Sequence, residues 1–233
     1  HRDLHSFPTR RSSDLLSTTA LTAFLLLAAP LTSVQAQFAR GVMYEVTITN
    51  ITRGAFFTPI LVASHRSGVS LFALGQPASA ELATLAEGGD VEPLAQMLRA
   101  DNRVVDIANS TGLLEPGRSV TVQVVAQGAD RISLAAMILP TNDGLIALNG
   151  VAAPRSGGET HWALGYDAGS EPNDERCAAI PGPQCGGEGA SPLAGGEGFV
   201  HVHAGIHGIA DLKVEEYDWR NPMAVVTIKK TAR

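Results

Sequence analysis

Aromatic residues make up only 5% of the chain, and there are two cysteines in 233 residues. The sparse aromatic content leaves a core built from Val, Ile, Leu and Ala. The signatures of common enzyme classes are missing. There is no G-x-S-x-G elbow and no P-loop, and no G-x-G-x-x-G opens a helix. Neither H-E-x-x-H nor a CxxC pair is present. Positive charge is in deficit, with 17 Lys and Arg against 23 Asp and Glu. No basic stripe exists to attract phosphates, so a nucleic-acid partner is not expected.

Long apolar runs are also lacking. The run Leu21–Ala29 is the longest candidate and falls short of the about 20 residues that cross a bilayer. Its length suits the h-region of a secretory signal, and Val34-Gln35-Ala36 supplies an A-x-A-like cleavage pattern. We therefore read residues 15–36 as a signal peptide and 37–233 as one domain. Residues 1–14 resemble translated adapter sequence and read as an extension foreign to the fold. The expected location is secreted or periplasmic, with no stable membrane span after cleavage. In that oxidising setting Cys177 and Cys185, eight residues apart in a Gly/Pro-rich segment, are expected to form a disulfide.

What the chain has is β-pattern. Tyr44–Asn50 and Ser119–Ala126 alternate apolar and polar residues, and Val120, Val122 and Val124 share one face. Arg131–Leu139 is a more continuous apolar strand. Leu145–Leu148, Glu159–Leu164, Phe199–His203 and Ala224–Ile228 complete the strand set. Phe57–Ala63, with Pro59 early, reads as a short edge element. Two short helices are expected, Ser79–Ala86 capped by Ser79 and Asp90–Arg99 capped by Asp90. In the second, Leu94, Met97 and Leu98 form the apolar stripe. Residues 167–198 read as loop, with Gly-Gly-Glu-Gly occurring twice as turn punctuation. Many short strands and few helices predict a mainly β fold, an antiparallel β-sandwich with a short helical insertion.

Two residue clusters carry possible chemistry. The first is acidic: Asp143 in Asn142-Asp143-Gly144, and Asp167 and Glu171 flanking Ala168-Gly169-Ser170. Carboxylates brought together from two loops suit calcium. Asn-Asp-Gly is equally a hairpin turn, so Asp143 has a plain structural reading as well. The second is His201-Val202-His203 followed by His207. Two rings on one strand face plus a third suit zinc with an open position, the arrangement of a hydrolase. His161 or Asp211 could add a ligand. Histidines alternating on a strand are also commonly hydrogen-bonded or exposed. No catalytic residue is assigned. Trp162, Trp219 and His65 read as packing residues.

Asp167-Ala168-Gly169-Ser170-Glu171, preceded by Pro140-Thr141-Asn142-Asp143-Gly144, resembles the spondin N-terminal domain family. That family is typified by an Asp-Ala-Gly-Thr-Asp loop and an upstream Ser-Pro-Asp-Trp segment. Tyr44-Glu45-Val46-Thr47-Ile48 and Ala63-Ser64-His65 are similar too, and the likeness runs over roughly residues 42 to 230. It implies a C2-like antiparallel β-sandwich with calcium in its end loops, on Asp143, Asp167 and Glu171. It also implies a recognition or adhesion role toward an extracellular or envelope protein or glycan. Gly144 stands where the family carries Trp, and Glu171 where it carries Asp. The alternatives are a zinc-dependent hydrolase built on His201, His203 and His207, and a structural envelope protein.

Overall fold

The computed structural model describes residues 41–190 and 195–231. The extension and signal-peptide readings fall outside the described residues. The elements run β1 (Val42–Asn50), β2 (Phe56–Phe57), β3 (Leu61–His65), α1 (Ala80–Gly88), α2 (Glu92–Ala100), β4 (Val104–Asn109) and β5 (Ser119–Ala126). There follow β6 (Arg131–Leu139), β7 (Gly144–Ala152), β8 (Gly158–Asp167), a 3₁₀ turn at Cys177–Ala179, β9 (His201–Val202), α3 (Val214–Tyr217) and β10 (Ala224–Lys230). The fold is mainly β and sandwich-like. Its strands are ordered β4-β3-β6-β7-β8-β10-β1-β5, with β2 on β6 and β9 on β8.

Each of these pairings is antiparallel, and the side-chain pattern explains the layers. In β1, Tyr44, Val46, Ile48 and Asn50 are buried while Glu45, Thr47 and Thr49 face outward. The outward Thr47 and Thr121 hydroxyls meet at 2.8 Å across β1 and β5. The inner faces of β1, β5 and β10 pack Val46, Ile48, Val122, Val124, Val226 and Ile228 against Ile132, Leu134, Ile138 and Ile146.

A second cluster covers the far side of β3, β6 and β7. There Leu61, Ala63, Ala135, Leu145 and Ala147 meet Leu82 and Leu85 of α1 and Leu94 and Leu98 of α2. The helical insertion thus forms a third layer. This is why β6 lacks alternation: one face meets the opposing sheet half and the other meets the helices. Fully burying each large aliphatic side chain contributes about 1.5–3 kcal/mol, so a one-residue slip of β6 would be costly.

Two sequence expectations change here. The edge element read from Phe57 to Ala63 is instead two strands, and β3 lies between β4 and β6. Its five residues are all buried, because helices cover one face and the sandwich interior the other. The second helix begins at Glu92 with Val91 at the cap position. Asp90 still serves it, since its Oδ1 accepts the Glu92 N–H at 3.0 Å. The first helix starts as expected, with Ser79 Oγ accepting Leu82 N–H at 3.2 Å.

The outermost strands of the order come together through side chains. Asp106 Oδ2 on β4 accepts the Val125 N–H of β5 at 2.7 Å. Ser64 Oγ on β3 donates to the Val125 carbonyl at 2.5 Å. Below β8, Cys177 and Cys185 form the expected disulfide. Glu175, only 3% exposed, ties this region to the following loop by accepting the N–H groups of His207 and Ile209. No helix among the described residues is long and apolar enough to cross a membrane.

Candidate metal centre

One end of the sandwich gathers acidic and imidazole groups from four chain segments. β7 and β8 pair with Gly144 opposite Asp167. Just beyond that rung, the Asp143 carbonyl accepts the Ala168 N–H at 3.1 Å. The turn before β7 is braced by Thr141, whose Oγ1 accepts the Gly144 N–H at 2.9 Å. Asp143 and Asp167 therefore emerge side by side. Neither has measurable exposure, and Glu171 is 1% exposed.

The loop after β8 folds back over Asp143. Its Oδ2 accepts the Ser170 N–H at 2.7 Å, the Ser170 hydroxyl at 3.2 Å and the Glu171 N–H at 3.0 Å. Its Oδ1 is buried and, among the described residues, receives no hydrogen bond. Asp167 is held at both oxygens: Oδ1 accepts the Gly169 N–H at 2.7 Å and Oδ2 the Asn173 side-chain amide at 2.6 Å. Burial pushes the Asp143 carboxyl above its ordinary range, against the pull of the Glu171 and Ser170 hydrogen bonds, and the Glu197 charge adds to the rise. Burial and then the Asp143 charge push Asp167 up to about 6. Glu87, at the end of α1, is also raised by burial; a Ser170 hydrogen bond opposes this and the Asp143 charge assists it. The centre is short of positive charge.

β9 adds the histidines. His201 pairs with Asp167 in register, and its Nδ1 lies 3.5 Å from Asp167 Oδ1. His203 is 6% exposed and stacks beside Trp219 with ring centres 4.9 Å apart. Its Nδ1 accepts the Gly205 N–H at 3.0 Å. The neutral ring then carries its proton on Nε2, which faces Asp167 Oδ2 at 4.0 Å. Burial, followed by the charges of His201 and His207, holds His203 down to about 4. This is the neutral form.

The residues read from sequence as two separate clusters thus fall at one place, with one exception. His207 faces Glu175 instead, with its Nδ1 3.9 Å from that carboxylate. Of the possible extra ligands, His161 sits near Glu159 at 3.7 Å and Asp211 accepts the Cys177 N–H at 2.9 Å.

Glu197 is the residue that sequence reading missed. One oxygen of Asp167, one of Glu197 and a ring nitrogen of His201 lie within 4.8 Å of one another. Glu197 belongs to the second Gly-Gly-Glu-Gly, which composition marks only as a turn. The signal was there in Gly196. A side chain at that position would meet the carbonyls of Glu171 and Gly169, each 2.6 Å from its Cβ. Close backbone approach is a reason for glycine beyond turning. Of the tryptophans, Trp219 is packed as expected at 7% exposure, whereas Trp162 is 56% exposed. It stands on the outward face of β8, opposite Val225.

The architecture defines a class: a mainly β, sandwich-like domain with carboxylates and imidazoles gathered at one end. The family model described as Spondin_N matches residues 49–157. Over those residues the domain is similar to the spondin N-terminal family, the resemblance that the sequence carries. The match includes Asp143 and stops before Asp167, Glu171 and the histidines. No curated protein matches the chain.

Proposed function

We propose that this is a secreted or periplasmic recognition domain of spondin type, whose end loops are fixed by calcium held on Asp143 and Asp167, with Glu171 in the same loop. The disulfide supports the oxidising compartment. The family match supports the type.

The observation that carries the cation is Asp143 Oδ1. A carboxylate oxygen with no exposed surface and no donor among the described residues is costly unless something positive meets it. Its partner oxygen is already occupied by Ser170 and Glu171. Asp167, next to it, is pushed toward protonation by burial and by Asp143. A hard divalent ion suits such oxygen donors. When bound, calcium supplies the charge that lets both carboxyls stay ionised.

The remaining work is done by the chain's own residues. Ser170 and Glu171 amides aim Asp143, and Gly169 and Asn173 aim Asp167. The same loops form the rim of the sandwich end. A fixed rim suits contact with an extracellular or envelope protein or glycan.

The test is thermal unfolding in excess chelator against excess calcium. Ligand at about 100 times its Kd stabilises by about 2.7 kcal/mol. For a domain of this size that raises the Tm by roughly 5–10 °C. Superimposable melts would reject the calcium reading.

A further inference from the structure

Asp167 has a second set of neighbours that the calcium reading leaves unused. His201 Nδ1 stands 3.5 Å from its Oδ1, and this nitrogen is buried without a hydrogen-bond partner among the described residues. The separation is long for a hydrogen bond. It is close to the about 3.4 Å that separates two ligands on one tetrahedral zinc ion, each bonded at about 2.0–2.1 Å.

Glu197 completes a set of three, its oxygen lying within 4.8 Å of the chosen atoms of Asp167 and His201. Glu197 is exposed, His201 half-buried and Asp167 buried, so the three form a path from solvent inward. An imidazole among the donors favours zinc-class ions over calcium. His203 fits a supporting role. Its Nδ1 is taken by Gly205, leaving an N–H on Nε2 toward Asp167 Oδ2, the direction in which an outer residue orients a ligating carboxylate. A second sign at the same place is His203 Nε2, on a side chain 3% exposed, which faces Asp167 Oδ2 at 4.0 Å without a hydrogen-bond partner among the described residues.

We propose that Asp167, Glu197 and His201 form a second cation site, on the solvent side of the buried carboxylates, selective for a zinc-class ion. Three protein donors leave one tetrahedral position open. Water, or a side chain of the recognised partner, can fill it. The donor set differs from the three histidines considered from sequence, because His207 faces Glu175 and His203 presents a hydrogen.

The experiment is zinc titration of the calcium-saturated domain against a chromophoric chelator. The expected result is one zinc per chain, bound at least tenfold more weakly by both His201→Ala and Glu197→Gln and unchanged in His207→Ala. Both weakened variants should keep the calcium-dependent rise in Tm, which also reports that they are folded. No zinc uptake, wild-type affinity in both variants, or zinc that displaces calcium one for one would each overturn the second site. Failed zinc binding with an intact calcium shift rejects this site alone. A missing calcium shift with intact zinc binding rejects the earlier reading alone.

Discussion

His201 lies directly opposite Asp167 in the β8–β9 pair, yet its Nδ1 stops 3.5 Å from the carboxylate. Cross-strand neighbours of opposite chemical character ordinarily close such a gap. The spacing, with Asp143 on the other side of the same aspartate, makes Asp167 the pivot of the sandwich end.

Asp143→Asn should separate shape from charge. Asparagine keeps an acceptor for the Ser170 and Glu171 amides, so the cation-free variant should melt within a few degrees of the parent. Its calcium-dependent rise in Tm should vanish. Asp143→Ala, which leaves those amides without their acceptor, should lose about 2–4 kcal/mol even in chelator. Urea unfolding in chelator measures this loss.

Asp167 and His203 pull acid stability in opposite directions. The folded state raises Asp167 from 3.8 to about 6. Its contribution is full below the ordinary value and lost as pH rises through about 6. His203 is lowered from 6.5 to about 4. Its contribution is full above 6.5 and lost as pH falls through about 4. Between about 4 and 6 the two slopes oppose. In chelator, Asp167→Asn should therefore show a urea midpoint that climbs with pH over this window, and His203→Asn one that falls. Parallel profiles for the two variants would contradict the assignment.

The disulfide should matter for stability without controlling the centre. Cys177 and Cys185 close a short loop, so Cys177→Ser with Cys185→Ser should cost about 2–3 kcal/mol. The calcium-dependent shift should persist at a lower baseline Tm.

Gly196→Ala should act on cation binding through the backbone beside Glu197. The added methyl would press on the Glu171 and Gly169 carbonyls, forcing apart the two loops that hold Glu197 and Asp167. Weaker zinc binding with near-UV circular dichroism largely retained is the expected outcome. Unchanged affinity would mean that the loops tolerate the displacement.

The legible parts of the sequence were those whose pattern is local. The alternation of β1 and β5, the Ser79 cap and the Leu94–Leu98 stripe each lie within a single element. β4 was missed because Asp106 interrupts an already short apolar run. Its Oδ1 accepts the neighbouring Ile107 N–H, but its Oδ2 is used by Val125, nineteen residues on. β3 was misjudged as an edge since nothing local reveals the helices covering its second face. The acidic and histidine clusters read as separate sites because only the pairing of Asp167 with His201 joins them. Glu197 was hidden by its glycine-rich surroundings.

The meeting of β4 with β5 also bears on aggregation. An uncovered strand margin offers its amides as a template for further chains, a route to fibres and precipitates. Asp106 and Ser64 occupy the Val125 amide and carbonyl from within the same molecule. They also place a carboxylate at the seam, so an incoming strand finds both hydrogen-bonding groups of Val125 taken and a charge in its path.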